Sequence, residues 1–151
     1  MGYWLMKSEP DCYSIDDLAA KGTADHWEGC RNYTVRNYFR DSMKVGDEAF
    51  FYHSSCPVPG IVGTMSIVSE AYPDPTQFDP TSDYYDPKSP KDNPRWLTRD
   101  VLFTKKFDRV LTLNDLRQVD DLSEMFVLRR GQRLSVMPVT ENEWKTVLSL
   151  V

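Results

Sequence analysis

Four short clusters set a ring or an apolar residue among short polar or charged side chains: His26-Trp27-Glu28, Arg31-Asn32-Tyr33, Tyr52-His53-Ser54 and Arg133-Leu134-Ser135. A flat heterocycle is recognised by stacking on an aromatic face and by hydrogen bonds to its edges, and these clusters supply both kinds of group. Any one of these rings alone fills a core as readily as it lines a pocket. Taken together they suit a pocket for a planar heterocycle. The two histidines, His26 and His53, would need several carboxylates to complete a metal site, and the spacing shows no such set, so neither a metal nor a cofactor is implied. Cys56 follows His53 by three residues, but in a Pro-flanked turn it reads as a small residue rather than a nucleophile. The phosphate loop, G-x-G-x-x-G, H-E-x-x-H and G-x-S-x-G are all missing, and with them the usual signatures of nucleotide hydrolysis, metalloproteases and serine hydrolases.

The elements that must position these clusters are short. Tyr3-Trp4-Leu5-Met6 is a buried strand stopped by Pro10, and Ser14 with Asp17 opens a helix of about two turns that Gly22 ends. Between Arg31 and Asp41, Val35, Tyr38 and Phe39, followed by Met43, recur at three and four as on an amphipathic helix. Strands follow at Glu48 to His53 and Ile61 to Val68, joined through Pro57, Pro59 and Gly60. Six of the ten prolines crowd between Tyr72 and Pro94, where Phe78, Tyr84 and Tyr85 predict a long loop packed on the body. Trp96 to Phe107 reads as a strand, 112–118 as a helix capped by Thr112 or Asn114, 123–130 as a helical turn and Leu134-Ser135-Val136 as a last strand before Pro138. Thr140 to Glu143 forms a capping box for a C-terminal helix. Without regular β-α-β alternation, the expected class is α+β, a small mixed β-barrel with short flanking helices.

The 151 residues fit one domain, expected to span 1–151, and 40% hydrophobic content supports a real core. A formal charge of −5 excludes a protein held on nucleic acid by bulk charge. Any such role must come from a local site. Cys12, Cys30 and Cys56 are odd in number and form no C-x-x-C, which fits a reducing interior. No apolar stretch approaches the roughly 18 residues of a membrane span, and the first ten residues lack a signal-peptide core. A monomer with no membrane association is expected, cytoplasmic in a prokaryote and nuclear in a eukaryote.

The strings Tyr3-Trp4-Leu5-Met6-Lys7-Ser8-Glu9-Pro10, Trp27-Glu28-Gly29-Cys30-Arg31-Asn32-Tyr33, Phe51-Tyr52-His53-Ser54, Pro59-Gly60-Ile61-Val62-Gly63 and Arg133-Leu134-Ser135-Val136 resemble the EVE domain family, in order along nearly the whole chain. The resemblance implies a PUA-like fold, related to ASCH and YTH domains, and a module that binds a flipped modified base of DNA or RNA, of the 5-methylcytosine or 5-hydroxymethylcytosine type. Carried onto this sequence, it puts the pocket around Ser8, Trp27, Asn32, Tyr33, Tyr52, His53, Ser54, Leu134 and Ser135. Trp27 would be the stacking face, Asn32, Ser54 and the backbone near Ser8 would read the base edge, and Arg31 or Arg36 would hold a phosphate. Cys30 stands where the family more often has a small aliphatic residue, and a thiol packs there much as Val would. A free-standing prokaryotic form is expected, because the basic extension of nuclear members is missing. The alternative is a small hydrolase acting on a modified nucleoside. ASCH relatives use a lysine and a carboxylate, and Lys7 and Glu9, two apart on the first strand, would share a face.

Overall fold

The structure, a computed structural model, describes residues 2–27 and 29–151. A six-stranded mixed sheet runs in the order β2-β7-β4-β3-β1-β8, built from β1 (Tyr3–Ser8), β2 (Asp25–His26), β3 (Glu48–His53), β4 (Gly60–Ile67), β7 (Asp100–Thr112) and β8 (Val136–Val139). β1 and β3 at its centre are parallel, and every other neighbouring pair is antiparallel. The sheet curls into a half-barrel flanked by short helices, which is the expected α+β architecture.

Alternation along the central strands sends side chains into two separate cores. Trp4, Met6, Ala49 and Phe51 point to one face, where they meet α1 (Ile15–Lys21), α2 (Tyr33–Asn37) and the π-helical turn Tyr38–Ser42. Leu5, Phe50 and Tyr52 point to the other, against α3 (Leu113–Arg117), two 3-10 turns and α4 (Glu141–Ser149). On β4, Ile61 belongs to the second core while Met65 and Ile67 belong to the first, although all three are an even number of residues apart. An unbroken strand would keep them on one face. The register shift between Ile61 and Gly63 supplies the odd step, and a second shift opposite Thr104 does the same for β7.

The helix starts follow from their caps. Ser14 with Asp17, Thr112 with Asp115 and Thr140 with Glu143 each form a reciprocal capping box, and Gly22 closes α1 in the left-handed conformation. Asn32 accepts from Val35 N and so begins α2. Pro138 lies inside β8 and not beyond it, because β8 is the outer strand and a proline is tolerated there. Since Lys7 N donates to Ser135 O at 2.7 Å, the pairs Leu5–Met137 and Tyr3–Val139 carry the ladder, and Pro138 turns its nitrogen outward. No helix among the described residues is long and apolar enough to cross a membrane.

The Pro-rich segment is fastened to the body through backbone pairing and a buried side chain. It is clipped at its base by β5 (Tyr72–Pro73) pairing with β6 (Leu97–Thr98). Inside it, buried Gln77 donates to the carbonyls of Asp74 and Trp96 and accepts from Ser89 Oγ and Trp96 N.

Candidate functional site

A cavity of about 490 Å³ opens where the parallel strands β1 and β3 end, on the side of the first core. That volume lies within the range of small-molecule sites. Ser8, Ser54 and Ser55 form its floor at the strand ends, and Ser54 N donates to Ser8 O at 3.0 Å to hold the two ends together. Tyr13 and β2 with Trp27 form one wall, Gly29, Cys30 and Tyr84 another, and Arg133 and Ser135 close the rim.

A chain of short hydrogen bonds stiffens the first wall. Ser8 Oγ donates to Tyr13 O at 2.6 Å, and Tyr13 Oη donates to Asp25 Oδ2 at 2.6 Å. The other oxygen, Asp25 Oδ1, accepts from Lys21 Nζ at 3.0 Å and from His26 N at 2.9 Å. Burial pushes the Asp25 carboxyl up, but the hydrogen bonds from Tyr13, Lys21 and His26 N outweigh it and hold the group below its usual range. A stable carboxylate therefore stands in the cavity wall.

The opposite wall is built on Gly29. Its φ of 87° suits glycine, and a Cβ there would come within 2.6 Å of the Tyr84 ring. Gly29 N donates to Asp74 Oδ2, and Arg31 bonds the same carboxylate at 3.1 Å while also donating to Tyr84 O and Thr76 Oγ1. Burial raises the fully buried Asp74, and the donors Thr76, Gly29 and Arg31 more than offset it, so its carboxyl stays low. One carboxylate thus fastens the proline-rich loop to the cavity wall. Cys30 is buried beside Ser135, 3.9 Å from Sγ to Oγ, and burial pushes its thiol up to about 12. It packs as a neutral thiol and is no nucleophile at neutral pH.

Of the eleven residues expected at the site, Ser8, Trp27, Ser54 and Ser135 line the cavity together. Trp27 does so as part of the core: it is 6% exposed and meets Phe51 edge-on at 5.2 Å. The other seven are engaged elsewhere. Arg31 grips the loop rather than presenting itself to a phosphate, and the exposed Asn32 spends its Oδ1 capping α2. Tyr33, 52% exposed, packs on Trp96, and Arg36 lies 4.8 Å over the Tyr33 ring while donating to Asn37 Oδ1. Tyr52 points into the second core, by the alternation that sends Phe51 to the first. His53 Nε2 accepts from Ile15 N at 3.1 Å, which binds it to α1. Leu134 packs between the two cores.

The lysine and carboxylate of the alternative reading, Lys7 and Glu9, both line the cavity, but not through the shared strand face expected of them. β1 ends at Ser8, so Glu9 lies past the strand and the shared-face argument lapses. Lys7 falls on the Leu5 side, with Nζ 5.6 Å from the Tyr52 ring centroid. Sequence reasoning missed Tyr13, Asp25 and Tyr84 in the lining, and it named Arg133 only within its cluster and not among the pocket residues. Asp25 and Tyr84 reach the cavity only through tertiary pairing.

A family model for the EVE domain matches residues 2–150. The chain belongs to the EVE domain family. Among curated EVE proteins it is similar to thymocyte nuclear protein 1 of mouse, at 47% identity over 98% of this chain and 73% of that protein. The human protein of the same name is 45% identical over the same shares. Among solved structures, a protein of Pseudomonas syringae is 50% identical with a TM-score of 0.94, covering 98% of both chains. Human THYN1 in complex with DNA containing 5-methylcytosine is 45% identical with a TM-score of 0.93, covering 99% of this chain and 97% of that one. An ASCH protein of Zymomonas mobilis, 11% identical over 99% of both chains with a TM-score of 0.56, shares the EVE fold alone.

Proposed function

We propose that this EVE domain is a binding module that takes a flipped modified base, of the 5-methylcytosine type, into the cavity at the ends of β1 and β3. The observation that carries this reading is the human relative, alike over 97% of its solved chain and crystallised with 5-methylcytosine-containing DNA. The cavity adds physical support: it has the volume for one nucleobase, an aromatic wall in Trp27 and Tyr84, and hydroxyls at Ser54 and Ser135 for a base edge. Ser8, Trp27, Ser54 and Ser135 are the residues proposed to meet the base, with Arg133 at the rim nearest a flanking phosphate. Binding without reaction suits these groups. The cavity thiol of Cys30 is held neutral, and Lys7, which shares the cavity lining with Glu9, lies with Nζ 5.6 Å from the Tyr52 ring centroid and makes no ion pair with that carboxylate.

The net charge of −5 and a rim with one exposed arginine predict that few phosphates are neutralised. Fluorescence anisotropy on single-stranded oligonucleotides with one 5-methylcytosine or one cytosine at the same position tests the reading. The modified strand should bind more tightly, with a slope of log affinity against log salt of roughly −1 to −3. Equal affinity for both strands with a slope near about −8 would show backbone-driven binding and overturn it.

A further inference from the structure

A methyl-sized recess cannot by itself choose 5-methylcytosine, because thymine carries the same C5 methyl group. The two bases differ at C4, where cytosine presents an amino donor and thymine a carbonyl acceptor. A cavity that selects the first over the second needs a hydrogen-bond acceptor that does not become a donor. A serine hydroxyl turns either way, so Ser54 and Ser135 do not discriminate, and Ser8 spends its proton on Tyr13 O to brace the wall.

Asp25 has the required character. It is paired with Val101 across β2 and β7, and directly opposed residues share a face, so its side chain stands on the first-core side with the cavity. Its carboxylate accepts two donors on Oδ1, from Lys21 and His26 N, and one on Oδ2, from Tyr13. A carboxylate offers about four lone pairs, which leaves one on Oδ2. The side chain keeps 14% of its surface exposed. Tyr13 fixes the orientation of that oxygen and is itself anchored by Ser8.

Resting on the base-binding reading above, we infer that Asp25 is the specificity-determining residue of the cavity: Oδ2 accepts the exocyclic amine of the bound base, so the site takes amino-pyrimidines and rejects thymine. An incoming carbonyl would set two acceptors against each other with no proton between them, whereas an amine completes the set.

The test uses wild-type protein and single-stranded oligonucleotides of one sequence carrying, at a single position, 5-methylcytosine, thymine or 5-methylpyrimidin-2-one, which lacks the amine. Anisotropy should show 5-methylcytosine binding about tenfold or more tightly than either of the others. Asp25→Asn, which offers a donor in place of one carboxylate oxygen, should erase most of that preference while keeping a native circular dichroism spectrum. Tyr13→Phe keeps the carboxylate but releases Oδ2 from its fixed orientation, so it should weaken the preference less than Asp25→Asn does. Equal binding of all three strands by the wild type would overturn the role of Asp25 and leave base binding standing. Full discrimination by a folded Asp25→Asn would do the same. Failure of the wild type to bind any of the three would defeat the base-binding reading itself. Should Asp25→Asn fail to fold, the wild-type comparison among the three bases still decides.

Discussion

The backbone N–H of Ile15 donates to Nε2 of His53 across 38 residues of chain, so the first turn of α1 hangs on an imidazole at the end of β3. That nitrogen accepts only while it is unprotonated. Burial lowers the pKa of His53, opposed by nearby Asp16 and reinforced by Lys106. A histidine whose folded pKa lies below its unfolded value binds protons more readily when unfolded, so its contribution is complete above about 6.5 and is lost as the pH falls. The melting temperature should hold steady from pH 8 to 7 and decline between about 6.5 and 5, above the range where ordinary carboxylates titrate. His53→Gln, whose amide oxygen still accepts from Ile15 N, should flatten that decline. An unchanged decline in the variant would release His53 from this role.

Arg31 and Asp74 make a second prediction. Replacing Arg31 with Met leaves a buried carboxylate short of one partner, at a cost of about 1–3 kcal/mol. The loss should concentrate in the loop, with faster hydrogen exchange at amides from Thr76 to Ser89 and earlier proteolytic cleavage there. Because the guanidinium faces the loop, the salt slope of oligonucleotide binding should stay as in the wild type. A slope reduced by about one would return Arg31 to the phosphate.

Gly29→Ala carries the third. The new Cβ meets both an unfavourable φ and the Tyr84 ring, so unfolding by denaturant should occur about 1–3 kcal/mol earlier. Adding Tyr84→Ala should relieve the contact but not the backbone strain. In a double-mutant cycle the two changes should therefore cost less together than their sum.

The sequence reading succeeded where the physics is local. Capping boxes at Ser14 and Thr140, the strand at Tyr3 to Met6 and the turn through Pro59 are each decided within a few residues of chain, and the structure keeps them. It succeeded less where contacts span the chain. Nothing near Arg31 announces that its partner is Asp74, 43 residues on, and a free arginine beside an aromatic reads as a phosphate ligand. Tyr52 is different: strict alternation already separates it from Phe51 and His53, so its place in the second core was legible from period two alone. Trp27 shows a third case, where a single ring serves the core and the cavity at once. Its truncation to Ala would cost about 3–5 kcal/mol of packing, and a binding test on that variant would mix lost fold with lost ligand.

Pro138 has a consequence for how copies of this protein meet. The outermost strand of a sheet is a template on which a neighbouring molecule can lay down another strand, and repetition of that step builds fibrils. With its nitrogen turned outward and bearing no hydrogen, Pro138 breaks the row of donors on the free side of β8 in a strand of four residues. An arriving strand finds the ladder interrupted at its middle. The ring that costs the fold no internal hydrogen bond thus acts on the crowd rather than on the molecule, keeping concentrated protein from growing edge to edge.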